Sequence, residues 1–314
     1  MSSAPQQPIA KSSQEGRYDQ AYSQTAVLGG ASSAAPFRRS LLGVAVGPGD
    51  RIHALGDGEV RVFEASGDPA LSWKAPDGAI CLEVGPDRRV YIGMPGRVAI
   101  CDPRGNAVGG FAVGDAKRPG FVTSIRVYRN EILAGDADAR FIRRFDTGGK
   151  PLGTIGTQSK TGNFMLPNRS LDFDVDAKGV VRVADSGRHR VSAWTLDGSP
   201  LGFFGRFGQF KLEDFVGCCN PVNVAVAPDG KIVTAEKVAA RLKVFEPDGR
   251  LLAVIGPGPF DPMCTFIHLA VDAKGRILAA DPVRRAIITF SPAAGPGSAN
   301  RSEPKSTRNQ DRHD

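Results

Sequence analysis

Apolar and polar residues alternate in short runs along residues 217–256, and each run ends at a turn sequence. Val222 to Ala227 alternates apolar with small or polar residues, which is typical of a half-buried strand. The triplets Pro228-Asp229-Gly230 and Pro247-Asp248-Gly249 predict reversals, because proline presets φ and glycine accepts a positive φ. The segment is therefore predicted to form four strands joined by three reversals.

The same pattern occurs six times, and each copy has a valine near the end of its first strand, called here the anchor valine. The anchor valines are Val46, Val84, Val127, Val175, Val226 and Val271. Their spacings of 38, 43, 48, 51 and 45 residues fit a four-stranded repeat. Because a lone four-stranded sheet cannot bury its apolar faces, the units must pack together. Six twisted sheets arranged radially predict an all-β, six-bladed β-propeller.

The sixth copy has only three strands, the last at residues 286–290, and the chain then becomes polar. Residues 25–28, Thr-Ala-Val-Leu, precede the first blade and would supply the missing strand. Pairing them there would close the ring without a free sheet edge. The alternative is that residues 22–30 are an unpaired lead-in.

Residues 184–191, ADSGRHRV, resemble the NHL repeat signature, whose usual form is close to ADTGNHRI. Looser copies lie at 135–142 and 280–287. The resemblance covers about residues 22–291 and implies an NHL-type propeller, but it does not imply one function. Residues 217–221, GCCNP, are similar to those of a group of bacterial NHL proteins.

The ends of the chain differ from the repeats. Residues 1–21 and 292–314 are poor in apolar residues and are predicted to be disordered tails around a propeller at 22–291. No run approaches the roughly 18 apolar residues of a membrane helix, and no signal peptide is visible. The default expectation is a cytoplasmic monomer, although a misassigned start would hide an export segment.

Strand direction places the loops between second and third strands on one face, together with the links between blades. The longest links lie between blades three and six, where binding loops are expected. Candidate binding residues on this face are Arg188, His189, Lys237, Arg241, Arg284 and Arg285. With a net charge of +7, the face would suit a protein or other anionic partner, or nucleic acid. Alternatively, acidic residues in the same loops neutralise it.

A second candidate site lies at the mouth of the central channel. Three residues before each anchor valine stand Gly43, Cys81, Ser124, Asp172, Asn223 and His268. Equivalent positions of a radial repeat meet around the axis. Asp172, Asn223 and His268 are therefore a candidate set of ligands for a divalent metal ion, the one cofactor the sequence suggests. The alternative is a water-filled channel with hydrogen bonds between blades.

Catalytic six-bladed propellers resemble this chain only in part. Lactonase-like sites use an early glutamate, where this chain has Gly43, and amidating-lyase-like sites use several histidines, where it has His268 alone. A non-catalytic binding or scaffold propeller is the primary interpretation. A metal-dependent hydrolase or lyase at the channel mouth is the alternative.

The five cysteines suggest a third function. Cys218 and Cys219 are adjacent in the link before blade five, with His268 as a candidate neighbour. Such a pair forms a vicinal disulfide or offers two thiolates to a soft metal, in a redox or metal-handling protein. The alternative is a reduced pair that only packs beneath the loop.

Overall fold

The structure is a computed structural model that describes residues 21–157 and 162–293. Within these residues, 24 strands pair into six antiparallel four-stranded sheets, and Ser186–Arg188 forms one short 3-10 helix. In chain order the strands are β1 (Tyr22–Leu28), β2 (Gly43–Gly47), β3 (Arg51–Gly56), β4 (Glu59–Phe63), β5 (Pro69–Lys74), β6 (Cys81–Val84), β7 (Val90–Met94), β8 (Arg97–Cys101), β9 (Ala107–Ala112), β10 (Val122–Tyr128), β11 (Glu131–Asp136), β12 (Phe141–Asp146), β13 (Pro151–Ile155), β14 (Phe173–Val175), β15 (Val181–Asp185), β16 (Arg190–Trp194), β17 (Pro200–Phe204), β18 (Asn223–Val226), β19 (Ile232–Glu236), β20 (Arg241–Phe245), β21 (Leu251–Ile255), β22 (His268–Val271), β23 (Ile277–Asp281) and β24 (Ala286–Pro292).

Five blades are consecutive groups of four strands from β2 to β21, and the sixth has the order β1-β24-β23-β22. β1 pairs antiparallel with β24, from Tyr22 opposite Pro292 to Leu28 opposite Ile287. The six-bladed all-β propeller and its closure by the N-terminal strand are therefore confirmed. The pairing excludes the unpaired lead-in. The closing strand starts at Tyr22, earlier than the four residues that the sequence indicated.

The apolar core lies between the blades. The described residues form six buried clusters, and each cluster joins two neighbouring blades. The cluster that closes the ring packs Phe37, Leu41 and Ile52 against Leu278 and Ile287. Burial of apolar surface between sheets is therefore what fixes the radial arrangement.

The first strands of neighbouring blades contact one another around the axis, from β2 through β6, β10, β14 and β18 to β22. They line the channel, and the fourth strands form the outer wall. The short turns between first and second strands are stabilised by residues within the turn. In the turn between β14 and β15, Gly179 has φ +85°, and the Asp176 carboxylate accepts the Lys178 and Val180 backbone N–H groups at 2.9 Å.

The predicted disordered tails fall almost entirely outside the described residues. β24 ends at Pro292, next to the predicted boundary. Within residues 21–157 and 162–293, no helix has the length and apolar character needed to cross a bilayer.

Candidate functional site: the long-loop face and the channel mouth

Three links between blades three and six are long irregular segments, at residues 156–172 (158–161 lie outside the described residues), 205–222 and 256–267. They share one face with the loops between second and third strands, called here the long-loop face. A buried acid at the end of the second strand holds each of these three links, and also the link at 113–121, against its blade. These acids are Asp136, Asp185, Glu236 and Asp281.

Asp185 illustrates this acid clamp. Its Oδ1 accepts the Met165 backbone N–H at 2.9 Å, which fixes the preceding link. Its Oδ2 receives Arg188 at 3.1 Å and Arg190 at 3.0 Å. The carboxylate is fully buried, and a buried charge of this kind is stable only when paired and hydrogen-bonded. The NHL-like segment 184–191 is thus a structural clamp in this chain.

Three of the predicted binding cations belong to the same clamps. Arg188 pairs with Asp185, Arg241 with Glu236, and Arg284 with Asp281 at 4.0 Å. Arg284 also donates to the backbone oxygens of Pro259 and Gly258. The long-loop face is therefore less cationic than the residue count suggests, and a role of these residues in binding an anion stays a prediction.

The other three lie nearby with different contacts. His189 has φ +53° and places its ring 5.1 Å from that of Phe207, and partial burial lowers its pKa. Lys237 exchanges backbone hydrogen bonds with the side chain of Asn220. Arg285 has φ +53°, and its buried Nε lacks a hydrogen-bond partner among the described residues.

Exposed apolar side chains gather on the same face, and sequence reasoning missed them. Phe210, Met263 and Val238 are 98%, 76% and 69% exposed. Together with three others they form what is called here the apolar strip: Met165, Phe207, Phe210, Val238, Met263 and Val283. Several strongly exposed apolar side chains on one face are typical of an interaction surface. Single apolar residues in loops carry no periodicity. The sequence signal was only that four of them lie in long links and two, Val238 and Val283, in loops between second and third strands.

The vicinal cysteines lie beside this strip. Cys218 is exposed and Cys219 is buried, and their Sγ atoms are 2.7 Å apart. A Cβ added to Gly217 would stand 3.9 Å from Val238 of the strip. Among the described residues no three His, Cys, Asp or Glu side chains group as metal ligands, so His268 does not complete a site with the two cysteines.

The channel mouth brings together the residues that the register predicted. Gly43, Cys81, Ser124, Asp172 and His268 line one cavity of about 20 Å³. Asn223 reaches the same place by donating its Nδ2 to Asp172 Oδ2 at 3.1 Å, and Val224 N–H donates to that oxygen at 2.9 Å. A cavity of this volume holds about one water.

The electrostatics of this mouth depend on burial. Burial raises the pKa of Asp172, opposed by the nearby Arg126 charge. Burial, together with the nearby Arg126 charge, lowers the pKa of His268 to about 4, so the imidazole is neutral at neutral pH. The buried Asn223 Oδ1 has no hydrogen-bond partner among the described residues.

One layer deeper lies a charge cluster that sequence reasoning missed. Arg126 bonds Asp174 at 2.9 Å and approaches Glu83 at 3.6 Å, thereby linking blades two, three and four. Burial raises the pKa of Glu83 to about 8. Each of these three residues directly precedes an anchor valine. A comparison of the equivalent positions one residue before the valines, in addition to those three residues before them, would have predicted this cluster.

This environment fits a divalent cation only in part. The free Asn223 oxygen, Asp172 and neutral His268 are suitable ligand types. However, Asn223 turns its nitrogen toward Asp172, and the Arg126 cation lies close by. The arrangement favours hydrogen bonding between blades, and the metal site stays a prediction.

No protein-family model matches the chain, and no curated protein matches it. Solved structures resemble it in fold. A structural genomics protein of unknown function from Bacteroides thetaiotaomicron VPI-5482 superposes with a TM-score of 0.63 at 15% identity, covering 86% of this chain and 75% of that chain. A streptogramin B lyase gives a TM-score of 0.59 at 11% identity, covering 86% and 97%.

The WD40 β-propeller domain of Doa1 gives a TM-score of 0.56 at 16% identity, covering 86% of this chain and 97% of that domain. Identities this low show the fold alone. The similar propellers include both a lyase and a WD40 domain, so the fold leaves catalysis and binding open. The NHL resemblance remains a prediction from residues 184–191.

Proposed function

We propose that this protein is a non-catalytic binding or scaffold propeller that docks a protein partner on its long-loop face. The observation that carries the proposal is the apolar strip, whose most exposed members are Phe210, Met263 and Val238. Aromatic residues and methionine are enriched at the centres of protein interfaces. The paired arginines around the strip would form a polar rim.

The partner is expected to present an apolar segment with few charges at its border. Arg188, Arg241 and Arg284 are already paired with acids, so their net attraction for a polyanion is small. Nucleic acid binding would need unpaired cations that neutralise several phosphates. A protein surface needs only complementary shape with a few charges, which suits this face better.

The test replaces the strip in the full chain by Phe210→Ser, Val238→Ser and Met263→Ser. These side chains are exposed, so the variant should keep the melting temperature of the wild type. A protein captured by the wild type would be identified, purified and titrated against both chains. We expect at least about a tenfold loss of affinity, because a few buried apolar contacts dominate most interfaces.

The matched control carries the same change on the outer strands: Leu71→Ser, Val108→Ser and Leu201→Ser. All three are exposed, on β5, β9 and β17. This control should bind as the wild type does. If the strip variant bound the partner as tightly as the wild type does, the proposal would be contradicted. It would also be contradicted if the wild type self-associated and the strip variant did not, because the strip would then bind a second copy of this chain.

A metal-dependent lyase or hydrolase at the channel mouth is the second candidate function. The free Asn223 Oδ1 beside Asp172 favours it, and so does the fold likeness to a streptogramin B lyase. Elemental analysis of the purified chain separates the two candidates. A stoichiometric divalent metal, lost in the Asp172→Asn and His268→Gln double variant, would favour the lyase. Metal that the double variant retains would contradict this site.

A further inference from the structure

The loop that carries Cys218 and Cys219 is fixed at both ends, although it lies at the surface. Ahead of the pair, the Val216 backbone N–H donates to Glu236 at 3.2 Å. After the pair, the buried Asn220 side chain donates to the Val216 backbone oxygen at 2.6 Å. It also donates to the Lys237 backbone oxygen and accepts the Lys237 backbone N–H. The chain between these two points is therefore held in one conformation.

This conformation brings the two sulfurs together. Cys219 has φ +63°, a left-handed conformation that non-glycine residues adopt rarely and keep only when their surroundings enforce it. The Sγ atoms lie 2.7 Å apart, with Cys218 accessible to solvent and Cys219 directed inward. An exposed thiol that can attack a disulfide, beside a second thiol that can resolve the resulting mixed disulfide, is the arrangement of a redox-active dithiol.

We infer that Cys218 and Cys219 form a redox site that takes low-molecular-weight disulfides, of the glutathione disulfide class, as its oxidant. The Cys218 thiolate attacks one sulfur of the small disulfide; a mixed disulfide forms, and one small thiol leaves with a proton. The Cys219 thiolate then attacks the Cys218 sulfur and releases the second small thiol. In sum, two protein thiols become one disulfide, and one small disulfide becomes two small thiols.

The other cysteines act as internal controls. Cys81, Cys101 and Cys264 are buried, and burial raises the pKa of each thiol, to about 12 for Cys81 and Cys264. The folded chain therefore keeps them protonated and shielded from the oxidant. Burial raises the pKa of Cys219 as well, but its Sγ lies 2.7 Å from the Cys218 sulfur that it attacks, so it needs no access to the oxidant. Of five cysteines, two are expected to react, and three are expected to remain as thiols.

The experiment incubates the full folded chain with glutathione disulfide, quenches with acid, and alkylates under denaturing conditions before mass spectrometry. The wild type should lose two alkylation sites and about 2 Da, the two thiol hydrogens, and should carry no lasting glutathione. Reduction with dithiothreitol should restore five alkylated thiols. This readout needs no partner and is independent of the proposed docking function.

Single variants separate the two roles. Cys219→Ser should accumulate a glutathione adduct on Cys218, because the resolving thiol is gone. Cys218→Ser should react at least about tenfold more slowly, because only shielded thiols remain. Cys264→Ser should behave as the wild type. Two results would overturn the inference. One is a stable glutathione adduct on the wild type. The other is a wild type that keeps all five thiols while Cys219→Ser also fails to react.

Discussion

Lys243 is a fully buried lysine in the third strand of blade five. Its Nζ donates to the Asp214 backbone oxygen at 2.6 Å and to Glu236 at 3.2 Å, and burial lowers its pKa to about 8. Glu236 also pairs with Arg241 and holds the link at Val216. One carboxylate thus stabilises a buried cation and the link that carries the two cysteines.

Glu236→Ala should lower the free energy of unfolding by about 3–5 kcal/mol, because it leaves Lys243 buried without its counter-charge. Chemical denaturation measures this change. The matched control is Glu246→Ala, which removes an ion pair of the same 3.2 Å length between Glu246 and the exposed Arg250. Its cost should stay below about 1 kcal/mol. Equal losses in the two variants would show that Lys243 does not depend on Glu236.

The closing strand is the element on which the ring depends. β1 covers the edge of β24, and Thr25 adds hydrogen bonds to Thr289 and Ser291. Deleting residues 1–28 should lower the melting temperature by about 10 °C, because loss of a few kcal/mol shifts it by 2–4 °C per kcal/mol in domains of this size. The uncovered β24 edge should also promote self-association, which sedimentation velocity detects.

Two truncations control for length. Deleting residues 1–20 leaves β1 in place, and deleting 294–314 leaves β24 in place. Both chains should melt within about 2 °C of the full chain, because the composition of these segments predicts tails that bury little apolar surface. If removal of residues 1–28 were as harmless as either truncation, the closing strand would not contribute to stability.

Stability of the whole ring should depend on pH through titratable groups whose pKa changes on folding. The pKa values of His53 and His268 fall to about 4 in the folded chain, from 6.5. The unfolded chain therefore binds more protons between those values, and stability falls as pH drops from about 6.5 to about 4. Glu83 acts oppositely: its pKa rises from 4.5 to about 8, so stability falls as pH rises through that range.

Denaturant titrations across this pH range separate the two effects. The double variant His53→Gln, His268→Gln should reduce the loss of unfolding free energy at acid pH. Glu83→Gln should reduce the loss of unfolding free energy as pH rises. Glu213→Gln, at an exposed position, should change neither loss. An unchanged pH profile in both test variants would mean that other groups control the pH dependence.

The sequence by itself determined the architecture. Period-two alternation, the PDG and DAKG turns and six anchor valines are local signals, and each strand or turn forms for reasons within a few residues of itself. Closure also followed from counting strands, because a three-stranded last blade needs a partner. Asp172 and His268 line one cavity, as their equal positions in the repeat predict, since a radial repeat converts equal sequence positions into neighbours.

Only the tertiary structure decided what the long-loop face is. The sequence left open whether Arg188 and Arg284 are free cations or are neutralised by acids in the same loops, and folding places each beside a buried acid of its own blade. Folding also leaves Phe210 exposed, and it holds the Cys218 and Cys219 sulfurs together through Asn220 and Glu236. Links between blades have no repeating pattern, so their side chains are placed by contacts with distant strands, which no local signal encodes.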